Sequence, residues 1–348
     1  MKVLVTGDRG YIGPVLVDQL LQERFSVIGF DVDYYCGTEL FALPTGYKRI
    51  TKDIRDIEIA DLDGIDAVIH LAGLSNDPLG ELAPNLTHEI NYQGTLRVAE
   101  AAKSAGVKRF VYASSQSMYG ISNTSDELDE ELSEKNPVTS YAATKWEAEL
   151  ALKKMATDEF TVVCFRPSTV FGAAPRLRTD IVFNNFVACA YTTGKIEIKS
   201  DGTPWRPVIH VRDVASAFIA GLKAPISLVA NQSYNVGIHN GNYSVRDLAE
   251  AAQAVVPGSK LIFTGEHGSD SRTYKVSFNK ILTELKDYYH PEWSLRRGGQ
   301  ELVYLFDQIG FTKEAFIGDS TNRLSKINKL ICNGALNEEL REVIEDMV

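Results

Sequence analysis

Five short β-branched apolar runs, KVLVT (2–6), SVIGF (26–30), AVIHL (67–71), RFVYAS (109–114) and FTVVCF (160–165), alternate with helical patterns over 12–22, 85–105 and 141–156. Each run is apolar throughout instead of alternating with polar residues, which is what a strand needs when both its faces are covered. Strands of this kind separated by helices predict an α/β fold, a parallel sheet wound on both faces. The rhythm loosens afterwards. Helices are expected near 180–193, 212–222 and 244–255, with short strands near 196–199, 208–210 and 260–263. The expected organisation is a main sheet domain over 1–170, with core elements also drawn from 205–240. A smaller α/β lobe over 171–302 and a helical extension over 303–348 complete it.

Chemistry is concentrated at the carboxyl ends of the early strands. The segment TGDRGYIG follows the first strand directly and opens a helix, with glycines at Gly7, Gly10 and Gly13. A glycine-rich strand-to-helix turn lets backbone N–H groups approach a pyrophosphate, whose charge the helix N-terminus favours. The second strand ends in Asp31, eighteen residues past Gly13. A carboxylate there accepts hydrogen bonds from the adenosine ribose, and with Asp33 it repels a 2′-phosphate, so the expected cofactor is NAD. The fold class is therefore a Rossmann-type doubly wound sheet.

Two further groups complete the pattern. SSQSMYG, from Ser114 to Gly120, ends the strand at 109–114 and places serine hydroxyls at the cofactor edge. SYAATKWEAE reads as a helix that carries Tyr141 and, one turn later, Lys145 on the same face.

In order and spacing, the three glycines, Asp31, Asp53-Ile54, HLAG (70–73), Asn91, Ser115 and Tyr141 with Lys145 resemble the extended short-chain dehydrogenase/reductases. Within them the chain is similar to the NAD-dependent nucleotide-sugar epimerase/dehydratase family. RPSTVFG (166–172) and DGTPWRPVIHVRDVA (201–215) agree, and the resemblance spans about residues 1–302. It implies that Tyr141 is the catalytic base, with Lys145 lowering its pKa and holding the nicotinamide ribose, and that Ser115 bonds the same substrate oxygen. The turn residues Gly7, Arg9, Gly10, Tyr11, Ile12 and Gly13 are implied to hold the cofactor. Asp31, Asp53, Ile54, Leu71, Ala72, Gly73, Asn91, Ser114 and Pro167 are implied to do so as well. Substrate contacts are implied for Ser75, Ser117, Thr169 and Arg178, with Arg206 and Arg272 on the substrate diphosphate. His70 in HLAG reads as a packed core residue.

Departures from the family pattern narrow the chemistry. The dehydratases of the family carry Asp-Glu after the catalytic hydroxyl residue, whereas this chain has Gln116-Ser117. An amide and a hydroxyl do not supply those proton transfers. The leading expectation is an epimerase that oxidises a sugar hydroxyl, at C4, and returns the hydride to the other face. A 4-dehydrogenase releasing a keto sugar is the second, and a non-catalytic NAD-binding regulator the third.

Composition limits the partners. A net charge of −10 supplies no basic excess for nucleic acid. Cys36, Cys164, Cys189 and Cys332 are scattered and form no CxxC pair, so neither zinc nor a disulfide framework is expected. No apolar run reaches the length of a membrane span, and the opening MKVLVTG reads directly as strand. A cytoplasmic protein with no metal and no membrane partner is expected. By family resemblance it is expected to be a homodimer built on the helices near 85–105 and 141–156.

Overall fold

A computed structural model describes residues 1–75, 83–122, 126–265 and 273–343. In chain order the strands are β1 (Lys2–Thr6), β2 (Ser26–Asp31), β3 (Lys48–Thr51), β4 (Ala67–His70), β5 (Arg109–Ala113) and β6 (Thr161–Pro167). There follow β7 (Thr169–Phe171), β8 (Lys195–Ile198), β9 (Trp205–His210), β10 (Gln232–Val236), β11 (Asn242–Ser244) and β12 (Lys260–Phe263). Seven of them form one sheet in the order β10-β6-β5-β4-β1-β2-β3, and every pairing in it is parallel.

The pleat explains why the central strands are apolar throughout. Val3 and Val5 of β1 point into one core, shared with Leu16 and Leu20 of the helix Gly13–Gln22 and with Val214 and Phe218 of the helix Val211–Lys223. Leu4 between them points into the other core, with Val98, Ala148 and Leu152 from the helices Thr95–Ser104 and Ser140–Met155. Edge strand β3 is short and largely exposed.

Strand order runs outward in opposite directions from β1 and β4. Their carboxyl ends therefore leave a crevice at the point of reversal, the place where open α/β sheets bind ligands. The smaller lobe borders this crevice, with Val170, Arg206 and Tyr274 among the residues that line it. In that lobe β9 pairs in parallel with β7 and antiparallel with β11, while β8 and β12 pair in parallel. The chain after residue 310 then returns to the large sheet. Ile327, on the helix Arg323–Cys332, joins Leu336 and Leu340 in the core that holds Leu4 and Phe30. Tyr34 donates its hydroxyl to the Leu340 carbonyl, and Lys326 donates to the Cys36 carbonyl at 3.1 Å.

Candidate active site

The crevice is a cleft of about 730 Å³, within the range of small-molecule sites. The glycine turn forms its floor. Gly7 has φ +75°, and a Cβ there would stand 2.8 Å from the Ala72 nitrogen, so only glycine suits both the backbone and the close approach of the two loops. A Cβ on Gly13 would fall 2.2 Å from the Gly7 carbonyl oxygen, inside contact distance. The helix begins after Ile12, whose side chain offers no cap acceptor. Its first N–H groups are thus suited to a phosphate. Asp31 lines the cleft, and its carboxylate is positioned by the N–H groups of Arg9 at 3.1 Å and Asp33 at 2.7 Å. Burial pushes its pKa up, and those two N–H donors together with the Arg9 guanidinium oppose the rise. Backbone donors over a glycine cradle and a fixed carboxylate one strand away fit an adenine dinucleotide.

The helix Ser140–Met155 is capped by Thr139, which accepts from the Ala142 N–H at 3.2 Å. This fixes the first turn, so that Tyr141 and Lys145 both line the cleft. Lys145 is 4% exposed, and its ammonium donates to the Ala113 carbonyl at 2.8 Å. Burial lowers its pKa to about 8. Ser115 faces the same cleft from the end of β5. Its hydroxyl donates to Ser117 Oγ at 3.1 Å and accepts from the Ser117 N–H at 3.1 Å, capping the turn that follows.

A buried polar network lies beneath these groups. Glu149, one turn beyond Lys145, is fully buried and pairs with Arg166 at 2.6 Å. It also accepts from Ser114 at 2.6 Å and Ser233 at 2.7 Å, so three neighbouring strands are tied to the helix that carries Tyr141. Gln116 donates its amide to the Arg166 carbonyl at 2.9 Å and is 1% exposed. Where the dehydratase pattern carries an acid, this chain has a locked amide.

Most of the expected site residues share this one cleft. Gly7, Gly10, Tyr11, Ile12, Gly13, Asp53, Ile54, Leu71, Ala72, Gly73, Ser114 and Pro167 line it, together with Ser75, Ser117, Thr169, Arg178 and Arg206. Arg9 and Asn91 take up other positions. The Arg9 guanidinium turns from the cleft to Asp33 at 2.9 Å, Thr51 at 3.1 Å and the Ile50 carbonyl at 3.0 Å, bracing the sheet edge behind the turn. Asn91 sits in a π-helical segment, Glu89–Gly94, and clamps Leu74 by accepting from its N–H at 2.7 Å and donating to its carbonyl at 3.0 Å. It shapes the HLAG loop from outside the cleft. Arg176 is fully buried against Asp33 and Glu39, away from the cleft. Arg272 lies outside the described residues. His70 is fully buried between the Thr6 and Thr95 hydroxyls, at 2.7 and 2.9 Å, and burial holds it neutral, its pKa lowered to about 3.

Sequence reasoning missed Tyr34, Tyr35 and Arg323, all of which line the cleft. The adjacent tyrosines just past Asp31 were a readable signal. Arg323 had none, because it arrives from the other end of the chain.

A parallel sheet with a glycine cradle at its switch point, a Ser at the facing strand end and a Tyr and Lys on the helix beside it defines a nicotinamide-dinucleotide enzyme of the short-chain dehydrogenase/reductase type. Residues 3–237 match the model of the NAD dependent epimerase/dehydratase family. The chain belongs to that family and is an NAD-dependent enzyme. It is 30% identical over 334 residues to a UDP-glucose 4-epimerase of Bacillus subtilis, covering 87% of this chain and 94% of that one. It is 29% identical over 260 residues to a human dTDP-D-glucose 4,6-dehydratase, covering 72% of each. The solved structure of MoeE5 in complex with UDP-glucose and NAD matches with a TM-score of 0.74 and 26% identity, over 88% of this chain and 99% of that one.

Proposed function

We propose that this protein is a nucleotide-sugar 4-epimerase. The observation that carries the choice within the family is Gln116: its amide donates to the Arg166 carbonyl at 2.9 Å, so it supplies no acid for dehydration beside an otherwise complete Ser, Tyr and Lys set. When bound, NAD accepts and returns the hydride. The chain's own residues manage the proton and the orientation. Tyr141 takes the proton of the sugar C4 hydroxyl at its phenolic oxygen and later returns it. The Lys145 ammonium stabilises phenolate, and Ser115 donates to the same sugar oxygen. Asp31 holds the adenosine ribose, with Asp53 and Ile54 beside the adenine. Leu71, Ala72 and Gly73 border the cofactor, and Arg206 anchors the substrate diphosphate through its planar donors.

A uridine nucleotide is the first candidate, supported by the UDP-glucose 4-epimerase of Bacillus subtilis. Incubating the purified protein with UDP-hexoses should yield the C4 epimer, resolved by proton NMR. Conversion of none of a panel of UDP-, GDP- and dTDP-hexoses would overturn the reading.

We also infer a homodimer. Tyr92, Leu96, Leu150, Ala151 and Met155 line a shallow groove between the two long helices on one face of the large sheet, and Leu150 is 40% exposed. Packing this face on a second copy buries the groove as a four-helix bundle. The four cysteines are unpaired, which supports the cytoplasm as the compartment. Among the described residues no helix is long and apolar enough to cross a membrane.

A further inference from the structure

Several arginines in and behind the cleft wall are matched with carboxylates. Arg178 pairs with Asp180 at 2.7 Å, Arg55 with Asp53 at 2.7 Å, and Arg176 with Asp33 and Glu39. Arg323 is 4% exposed and lines the cleft, yet it forms no ion pair among the described residues. Its guanidinium lies 3.8 Å from the centre of the Tyr35 ring, and Nη2 donates to the Arg176 carbonyl at 2.9 Å. Nε and Nη1 make no hydrogen bond among the described residues. Burial is the main cause that pushes its pKa down to about 10; Arg178 and Arg176 add to it, while Tyr35 and Asp180 oppose it.

A buried guanidinium with no carboxylate in direct contact is costly, and an anion placed against its free edge offsets that cost. Its two remaining nitrogens offer the planar fork that matches a phosphate. We propose that Arg323, carried into the cleft by the C-terminal helix, recognises a diphosphate bound there. Two diphosphates enter such a cleft, that of the dinucleotide and that of the nucleotide sugar. The stacking partner Tyr35 stands four residues past Asp31, on the adenosine side, so the dinucleotide is the expected source. This assignment rests on the dinucleotide site described above. It makes the C-terminal segment a working part of the cleft, in addition to its packing on the sheet.

Calorimetric titration of the full chain with NAD, with UDP and with adenosine tests the assignment. Arg323→Gln should weaken NAD binding by about tenfold to a hundredfold, as loss of a charge-assisted contact does, and leave UDP and adenosine binding unchanged. Arg323→Lys keeps the charge and should recover part of the NAD affinity. If UDP binding falls instead and NAD binding holds, the diphosphate is that of the nucleotide sugar. Where Arg323→Gln does not fold, the lysine variant reads the same two affinities against wild type, with a loss of about threefold or more expected from its missing fork. Unchanged NAD and UDP affinities in the folded variant overturn the assignment. A wild-type chain that binds no NAD overturns the dinucleotide site itself, a separate result visible in the first titration.

Discussion

The Lys145 ammonium donates to the Ala113 carbonyl at 2.8 Å, tying the helix that carries Tyr141 to the strand end that carries Ser115. The lysine holds this place at a thermodynamic cost, since burial lowers its pKa from 10.5 to about 8. Between those values the unfolded chain binds this proton more tightly than the folded one, so the stability linked to Lys145 rises with pH across that window. Lys145→Met should therefore leave the ligand-free protein as stable as wild type at pH 7, or more stable by about 1–3 kcal/mol. The difference should shrink as the pH climbs from about 8 towards 10.5. Turnover and NAD affinity should both fall. Urea denaturation of the two proteins across that pH range checks the sign.

Tyr141→Phe keeps the ring in the cleft and deletes its oxygen. Turnover should drop by about a hundredfold to ten-thousandfold, the usual worth of a positioned acid–base group. NAD affinity should stay within about twofold. Steady-state rates beside calorimetric titration separate the two effects.

Asp31→Ala removes a carboxylate that the Arg9 and Asp33 N–H groups hold in place. NAD affinity should fall by about tenfold and discrimination against NADP should relax, because ribose acceptor and phosphate repellent are the same group. Titrating both cofactors into the variant reads both changes.

Leu150→Glu places a charge on an exposed apolar position of the long-helix face. It should convert a dimer to a monomer at micromolar concentration with little change in monomer fold, because the position faces outward. Light scattering with circular dichroism distinguishes this from unfolding, and a monomeric wild type would end the dimer reading.

The sheet and the helix that carries Tyr141 were legible because their signals are local. Apolar runs marked β1, β2, β4, β5 and β6, and Tyr141 and Lys145 declare themselves by sitting one turn apart. β3 was not legible: KRIT is short and largely exposed, so its pairing with β2 leaves no apolar pattern to read. β10 was hidden for the opposite reason. In QSYNV, Ser233 and Asn235 are fully buried polar residues, satisfied by Glu149 and by Tyr119 and Glu130, and nothing nearby in the sequence announces those partners. Arg9 misleads for a related reason. It stands inside the glycine turn, but its side chain finds Asp33 and Thr51 at the sheet edge.

In the proposed epimerase the sugar's C4 hydride leaves and returns within one binding event, with Tyr141 holding the proton meanwhile. Presenting a C4-deuterated UDP-hexose to the enzyme and following the products by mass spectrometry and NMR tests this directly. The expected product is a C4 epimer that retains its deuterium, with no build-up of reduced nicotinamide. Deuterium transferred to the nicotinamide, together with an accumulating 4-keto sugar, would contradict it and make the protein a dehydrogenase.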